Sequence, residues 1–216
     1  MLFLVREASV KTYVYVDAFN LYFGALRRTP YKWLDLLALS RTLLPKHSID
    51  RIKYFTARVA ARPSDPDQPT RQATYLRALG TIPILDIYYG HFLTHRVHLP
   101  LASPSPGKNK HAQVIRTEEK GSDVNLACQL LQDAYLNRYE CAVVISGDSD
   151  LLMPVRVVMG ELGKPVGIIN PQRIPCSVLQ REATFYKHLR KSALARCQFP
   201  ERLKDDKGSF SKPSTW

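Results

Sequence analysis

Two carboxylates stand two residues apart, directly after an apolar run, near the middle of the chain. The run is Val143-Val144-Ile145, the carboxylates are Asp148 and Asp150, and Ser146-Gly147 lies between the two parts. β-branched residues followed by a glycine-containing turn are typical of a buried strand, so both acids should lie at the carboxyl end of that strand. Ligands of open α/β sheets bind at this edge.

A second apolar run has the same design. The strand-like Tyr13-Val14-Tyr15-Val16 ends in Asp17, and another acid, Asp123, lies in the first turn of a predicted helix. Taken alone, each acid has an ordinary alternative, as a helix cap, as a partner of the helix dipole or as a turn residue. Acids that converge from distant positions on one edge favour a metal site over a set of independent caps.

The residue types of this set indicate which metal it would hold. The carboxylates offer hard oxygen atoms, with neither His nor Cys among them, and this suits Mg²⁺ or Mn²⁺ rather than zinc. We expect Asp17 and Asp148 to bind the ion directly or through water, with Asp123 beside them and Asp150 completing the shell or activating a water. Such an ion acidifies water and neutralises the charge on a phosphate in transfer. Whether one or two ions bind is left open.

Nearby polar residues are candidate substrate contacts. Asn20 can bond a metal-bound water or a phosphate oxygen, or it can close the start of its own helix. Ser146 can position a phosphate or cap the following helix. Lys120 can contact the scissile phosphate or remain solvated. The other candidate substrate contacts are Lys108, Lys110 and Arg116.

The chain is strongly basic. Its 216 residues include 31 Lys and Arg against 19 Asp and Glu, which gives a formal net charge of +12. Such an excess attracts polyanions, nucleic acid above all, although charge alone fits a merely soluble chain equally well. Because acids gather at predicted strand ends while the excess cations lie elsewhere, the pattern favours a metal-dependent enzyme that acts on a phosphate backbone.

Cysteine use and hydropathy predict a cytoplasmic protein without a membrane partner. The four cysteines form no CxxC pair and have no zinc-finger spacing. Cys128 and Cys141 should be reduced, buried and inert. The apolar segment 1–5 is too short for a signal-peptide core, and no segment approaches the length of a membrane span. The sequence leaves open whether the protein forms a homodimer or binds an inhibitory protein.

Alternating strands and helices predict an α/β protein with a parallel sheet. Right-handed crossovers would then bring the acidic strand ends to one edge. The predicted strands cover 13–16, 49–59, 82–89, 141–145 and 165–169. The predicted helices cover 21–28, 33–44, 69–79, 121–137, 151–162, 177–181 and 185–195. For the helix over 121–137, Ser122 is the expected N-cap, and the expected buried face is Val124, Ala127, Cys128, Leu131, Ala134 and Tyr135.

Two segments break this rhythm. Residues 91–116 are rich in proline and cations and predict an extended basic loop or flap, for which a hairpin arm over 94–99 is one option as the entry. Its composition fits a functionless insertion equally well, and its place before Asp123 favours a substrate-facing role. The folded domain is expected over 1–196, followed by a disordered tail over 197–216.

Aromatic residues surround the first acidic motif. Those in and after the first strand, Phe19 and Phe23 among them, favour the protein core over base stacking by about two to one. Four residues at the end of the third predicted strand have a better claim to stack on unpaired bases because they lie near the acidic edge: Tyr88, Tyr89, His91 and Phe92.

Three segments in this order resemble the signatures of the NYN domain, a branch of the PIN-like nuclease superfamily, across roughly residues 12 to 190. They are Asp17-Ala18-Phe19-Asn20-Leu21, Glu119-Lys120-Gly121-Ser122-Asp123-Val124-Asn125-Leu126-Ala127 and Ser146-Gly147-Asp148-Ser149-Asp150-Leu151. The resemblance implies a Rossmann-like three-layer α/β/α sandwich with a central, mainly parallel sheet. It also implies a Mg²⁺ or Mn²⁺ dependent ribonuclease whose substrate is RNA. The acids that would coordinate the ions are Asp17, Asp123, Asp148 and Asp150, with Asn20 beside the first.

The chain departs from this family pattern at one position. Relatives often have Leu-Ala-x-Asp-Leu-Leu where this chain has Leu126-Ala127-Cys128-Gln129-Leu130-Leu131. Gln129 carries no charge, so metal affinity is expected to be weaker if that position belongs to the site, unless Glu119 substitutes for it.

Three other functions fit parts of the sequence. A catalytically weak RNA-binding module on the same fold would bind RNA in the presence of a chelator. An oxidoreductase fits poorly, because no G-x-G-x-x-G follows a predicted strand and Asp148 would repel a pyrophosphate. A phosphatase of small substrates could use the same acids, although the basic segment and the charge of +12 argue against it.

Overall fold

A six-stranded, fully parallel sheet forms the centre of the protein. The computed structural model describes residues 9–103 and 109–216. Its sheet order is β3-β2-β1-β6-β7-β8, and every neighbouring pair is parallel. In the described residues the strands are β1 (Val10–Asp17), β2 (His47–Thr56), β3 (Leu85–Tyr89), β4 (His91–Pro100), β5 (His111–Lys120), β6 (Cys141–Ile145), β7 (Val166–Asn170), β8 (Phe185–His188), β9 (Arg202–Asp205) and β10 (Gly208–Ser211).

The order of the strands reverses between β1 and β6. The chain builds the sheet outward from β1 through β2 to β3, then returns to place β6 against the other side of β1. Residues Thr12 to Val16 pair with Cys141 to Ile145, so the two strands end side by side. A crevice opens at such a switch point beyond the carboxyl ends of the strands.

Helices cover both faces of the sheet. The described helices are α1 (Ala18–Leu21), α2 (Leu36–Leu43), α3 (Gln68–Leu79), α4 (Ser122–Tyr135), α5 (Leu152–Gly160), α6 (Ser177–Glu182) and α7 (Lys191–Arg196), with a π-helical turn at Tyr22–Leu26 and a 3₁₀ turn at Ser149–Leu151. Helix α2 begins later than predicted because the carboxylate of Asp35 accepts hydrogen bonds from the N–H groups of Leu37 and Ala38, at 2.8 and 3.0 Å.

Alternation along β1 sends its side chains into two separate cores. Val14 and Val16 pack with residues of α2, α3 and α7 on one face. Tyr15 packs with Leu126 of α4 and Val155 of α5 on the other. Since β-strand side chains alternate between faces, one apolar strand can serve both cores. The predicted three-layer α/β/α sandwich is confirmed.

Part of the segment 91–116, predicted as a basic loop, is a long hairpin. Strands β4 and β5 pair antiparallel from His91 opposite Lys120 to Pro100 opposite His111. Most of their side chains are exposed. The prediction of a loop was therefore wrong for most of its length, because alternating Thr, Val and His favour strand pairing over an irregular insertion. The hairpin arm is longer than the suggested 94–99.

Helix α4 presents a different face to the sheet from the one predicted. Its buried residues are Ser122, Leu126, Leu130, Asp133 and Ala134. Of the residues predicted to be buried, Val124 and Tyr135 are 64% and 78% exposed. Cys128 is exposed too, whereas Cys141 is buried as predicted. The apolar pattern predicted the wrong face because the side of the helix that contacts the sheet includes a carboxylate, Asp133.

The end of the chain differs most from expectation. Residues 185–188 form the edge strand β8, where a helix over 185–195 was predicted, since Phe185 and Tyr186 suit a pleated surface. The predicted disordered tail contains the hairpin of β9 and β10. Phe210 and Trp216 place their rings 6.5 and 6.3 Å from that of Trp33. Aromatic burial therefore offsets the polar composition of this segment. Within the described residues, none of the helices is both long and apolar enough to span a membrane.

Candidate active site

The predicted acids gather around a small cleft at the β1/β6 switch point. The cleft has a volume of about 220 Å³. Asp17, Asp123 and Asp148 line it, as predicted, and Asp150 does not. The lining residues are Asp17, Phe19, Asn20, Phe23, Glu119, Ser122, Asp123, Asp148 and Gln172.

Asp17 is the buried centre of the cleft. It ends β1 and is only 4% exposed. One carboxylate oxygen, Oδ1, accepts a hydrogen bond from the N–H of Asn20 at 2.9 Å. The other, Oδ2, accepts one from the hydroxyl of Ser146 at 2.9 Å. The same hydroxyl accepts from the N–H of Asp148 at 3.1 Å, so Ser146 joins the two acidic motifs.

Asn20 joins the ends of three strands. Its side-chain oxygen accepts hydrogen bonds from the N–H of Gly147 at 2.9 Å and from the amide of Gln172 at 3.1 Å. Glycine suits position 147, because a Cβ there would lie 2.3 Å from the side-chain oxygen of Asn170 and would displace that side chain. The network therefore fixes the turn that carries Asp148. Asn20 acts as a positioning residue, and its predicted substrate contact is untested.

Two polar residues of the cleft were absent from the predicted site. Gln172 follows β7 and reaches the cleft after Asn170 and Pro171, at the same edge of the sheet. Glu119 comes from the base of the hairpin, and its carboxylate accepts hydrogen bonds from the N–H and hydroxyl of Ser122, at 3.1 and 2.7 Å. The N-cap position is therefore Gly121 rather than the predicted Ser122, and the carboxylate of Glu119 accepts the first N–H of α4. Glu119 stands three residues before the start of α4, and this spacing could have indicated that its carboxylate lies at the N-terminus of the helix.

Burial and mutual repulsion raise the pKa values of carboxyl groups in the cleft. Burial raises the pKa of Asp17 to about 6, and the charges of Asp123 and Asp148 add to this, although the hydrogen bonds from Asn20 and Ser146 oppose it. Burial also raises the pKa of Asp123, with contributions from Asp148, Glu119 and Asp150. Carboxylates that resist ionisation in this way would be relieved by a bound cation.

The donor set fits a hard divalent ion. The acidic side chains that line the cleft offer carboxylate oxygen atoms, which are the ligands that Mg²⁺ or Mn²⁺ prefers. Among residues 9–103 and 109–216, no three His, Cys, Asp or Glu side chains are already arranged to hold one ion together. Mg²⁺ usually retains several waters and binds one or two carboxylates directly, so Asp17 and Asp148 would suffice, with Asp123 contacting the ion through water.

Of the predicted basic contacts, the three that the structure describes lie outside the lining of the cleft. Lys120 and Arg116 both pair with Glu118 on the hairpin. Lys110 is exposed near the far end of β5, and Lys108 falls outside the described residues. Their roles as substrate contacts stay predictions, on an arm that begins at the cleft.

Gln129 belongs to a different network. Its side-chain oxygen accepts a hydrogen bond from the ammonium group of Lys53 at 2.7 Å. Lys53 also pairs with the buried Asp133 at 2.5 Å. Gln129 does not line the cleft, so its lack of charge gives no reason to expect weaker metal binding there.

Replacing Asp17 with Asn should stabilise the fold above pH 6. The pKa of Asp17 is about 6 in the folded protein against 3.8 as reference, so the native state holds this proton more tightly than the unfolded state. The free energy of unfolding therefore decreases as the pH rises from 3.8 to 6, because the native state loses this proton, and it stays lower at higher pH. The amide of the Asp17→Asn variant avoids this penalty but weakens two hydrogen bonds, which leaves a gain of about 1–2 kcal/mol at pH 8. Urea unfolding in chelator at pH 5 and pH 8 measures it.

The exposed Asp150 is the control for this experiment. Asp150→Asn removes a charge from the same edge without removing a buried carboxylate, so its stability should stay within about 0.5 kcal/mol of wild type. A loss of stability in Asp17→Asn at pH 8 would contradict the account of the cleft's electrostatics.

Comparisons with known proteins agree on the fold and differ on activity. The NYN domain matches residues 11–189. The chain is 30% identical over 243 aligned positions to 6-hydroxy-3-succinoylpyridine 3-monooxygenase of Pseudomonas putida, with 96% of this chain and 75% of that protein covered. A crystal structure of a protein of unknown function from Vibrio parahaemolyticus is similar in fold, with a TM-score of 0.56, 15% identity, and coverage of 86% of this chain and 97% of that one.

The family match includes the three acidic motifs and all six strands of the parallel sheet. A PIN-like nuclease fold therefore carries the cleft, and the chain belongs to the NYN domain family.

Proposed function

We propose that the protein is a metal-dependent ribonuclease that hydrolyses phosphodiester bonds of RNA. The observation that carries this proposal is the convergence of Asp17, Asp123 and Asp148 on one cleft at the switch point of the sheet. The net charge of +12 supports a polyanionic substrate. Membership of a family with a PIN-like nuclease fold supports hydrolysis.

The residues of the cleft divide the work. Asp17 and Asp148, fixed relative to each other through Ser146, are the groups that would hold Mg²⁺ or Mn²⁺. Such an ion supplies an acidified water and neutralises charge that develops on the phosphate. Asp123 lines the cleft beside them and is our candidate to accept the proton of the attacking water. Glu119 and Asn20 hold α4 and the Gly147 turn in place.

Cleavage of labelled single-stranded RNA tests the proposal. The purified protein should cleave with Mn²⁺ and with Mg²⁺, and EDTA should stop the reaction. A single-stranded DNA of the same sequence, assayed in parallel, establishes the sugar preference. Equal cleavage in EDTA, or no cleavage with any metal, would refute the proposal. RNA binding that falls with salt, without cleavage, would instead support a catalytically weak RNA-binding module.

The relative from Pseudomonas putida supports a second candidate, oxygenation of a pyridine ring. A monooxygenase inserts one atom of O₂ into its substrate, and two electrons with two protons convert the other atom to water. None of the side chains that line the cleft supplies electrons, so this reaction needs an external reductant. Oxygen consumption with 6-hydroxy-3-succinoylpyridine and a reduced nicotinamide would favour this activity, and its absence beside RNA cleavage would exclude it.

A further inference from the structure

An exposed aromatic side chain stands at the mouth of the cleft. Phe23 lines the cleft and is 59% exposed. Large apolar side chains of the same motif, such as Leu21, are buried. The expectation that the aromatic residues of this motif belong to the core is therefore wrong for Phe23. Exposure of one large apolar side chain is common on protein surfaces, so what distinguishes Phe23 is that its exposed ring also lines the cleft.

The local backbone holds this ring in place. Phe23 lies in the π-helical turn Tyr22–Leu26, and π-helical turns are rare and concentrated at functional sites. The next residue, Gly24, packs closely against the loop after β7. A Cβ at Gly24 would lie 2.9 Å from the carbonyl oxygen of Pro171 and from the side chain of Gln172. The turn that carries Phe23 therefore packs closely against a loop that also lines the cleft.

Charged side chains of both signs lie close to the Phe23 ring. The guanidinium carbon of Arg27 lies 5.5 Å from the centre of the Phe23 ring, and Arg27 and Arg28 are both exposed. The cleft that Phe23 lines presents its carboxylates. An exposed aromatic ring with a cation beside it, at a candidate metal site, combines a surface on which a base can stack with a charge that can contact a phosphate.

We propose that Phe23 is a stacking platform for an unpaired nucleobase next to the phosphate that is cleaved, with Arg27 contacting the neighbouring phosphate. This inference rests on the proposed function and adds a residue of this chain that binds the base beside the cleaved phosphate. The bases of a duplex are stacked on one another and cannot reach an exposed ring, whereas those of a single strand can. Stacking accepts any base, so this contact selects strandedness rather than sequence.

Binding measured in EDTA tests the proposal without requiring catalysis. Fluorescence anisotropy compares an oligouridylate, an abasic ribose-phosphate oligomer of the same length, and an RNA duplex. Phe23→Leu should weaken oligouridylate binding by about 10- to 100-fold, and Phe23→Trp should preserve it. The abasic oligomer and the duplex should bind wild type weakly, and Phe23→Leu should not change their binding.

Tyr135→Leu is the matched control. Tyr135 is an exposed aromatic at the far end of α4, about 18 Å along the helix from Asp123. This variant should bind oligouridylate as wild type does. Unchanged affinity in Phe23→Leu, or equal binding of base-bearing and abasic oligomers, would overturn the proposal. So would Phe23-dependent binding of 6-hydroxy-3-succinoylpyridine without Phe23-dependent binding of RNA.

The two proposals fail in different ways. A wild-type protein that binds RNA through Phe23 and cleaves none with any metal keeps the stacking site and refutes the nuclease. A protein that cleaves RNA equally well with Phe and with Leu at position 23 keeps the nuclease and refutes the stacking site.

Discussion

Asp148→Asn will lower kcat for RNA cleavage by at least about 10²-fold while the protein stays folded. The variant removes one of the two carboxylates that we propose as metal ligands, and losing a preorganised electrostatic contact to the transition state typically has an effect of this size. The fold should survive because the side-chain oxygen of Asn can still accept the N–H of Asp150, which Asp148 accepts at 3.0 Å. Single-turnover kinetics at saturating Mn²⁺ measures the effect.

Asp150→Asn tests whether an acid that does not line the cleft contributes to catalysis. Asp150 lies in the same motif and does not line the cleft, so its charge acts on the reaction only from a distance. We expect it to lower kcat by less than about 10-fold. Equal losses in the two variants would restore Asp150 to the catalytic set in which the sequence placed it. Full activity in Asp148→Asn would remove the cleft from the mechanism.

Asp133→Asn will destabilise the protein by about 3–5 kcal/mol, because it leaves the buried ammonium group of Lys53 without its counter-charge. Asp133 is fully buried. Its carboxylate accepts hydrogen bonds from Lys53 at 2.5 Å, from the hydroxyl of Tyr15 at 2.6 Å and from Arg138 at 3.0 Å. Burial and this contact also raise the pKa of Tyr15 far above its usual range, so Tyr15 remains a donor. Urea unfolding at pH 7 measures the loss.

Two further variants identify the cause. Lys53→Met combined with Asp133→Asn removes the unpaired charge and should recover most of the stability, and the double-mutant cycle gives the coupling. Glu182→Gln breaks the surface pair with Arg156, which spans 2.7 Å with both side chains partly exposed, and should change stability by less than about 1 kcal/mol. A similarly small effect of Asp133→Asn would show that the buried pair is unimportant.

The buried pair also bears on the candidate active site. Asp133 belongs to α4, Lys53 to β2 and Tyr15 to β1, so their contacts fix α4 against the sheet. The first turn of the same helix carries Asp123. The network is therefore a means by which the core positions a carboxylate of the cleft, and Gln129 takes part in it through Lys53.

The sequence predicts the centre of the sheet and most of the acids well. Strands β1 and β6 are continuous apolar runs that end in Asp17 and in the Asp148 motif, and a fully buried parallel strand has this pattern. Once two such strands are adjacent, the convergence of their terminal acids follows from topology alone.

Two other residues of the cleft, Glu119 and Gln172, are brought there by tertiary structure. Glu119 reaches it only because a hairpin of two ten-residue strands returns the chain to its starting point. Gln172 reaches it through hydrogen bonds to Asn20 that form only in the folded protein. Asp150 was assigned to the site because it shares a motif with Asp148; it is exposed and does not line the cleft, although its charge still raises the pKa of Asp123.

Tertiary packing also explains the errors in the fold. Helix α4 rotates so that Asp133 faces Lys53, which an apolar pattern cannot reveal. The tail folds because Phe210 and Trp216 pack around Trp33, and because Arg77 holds Asp205 through two hydrogen bonds of 2.7 and 2.6 Å. These partners lie more than 100 residues apart in sequence, beyond the reach of composition.

Calorimetric titration of the purified protein with Mn²⁺ tests the central claim most directly, namely that the carboxylates at the β1/β6 switch point hold a divalent cation. We predict saturable binding to the wild type and to Asp150→Asn, displacement by Mg²⁺, and affinity at least about 10-fold weaker in Asp17→Asn and Asp148→Asn. Undetectable binding to the wild type, or equal affinity in all four proteins, would contradict it.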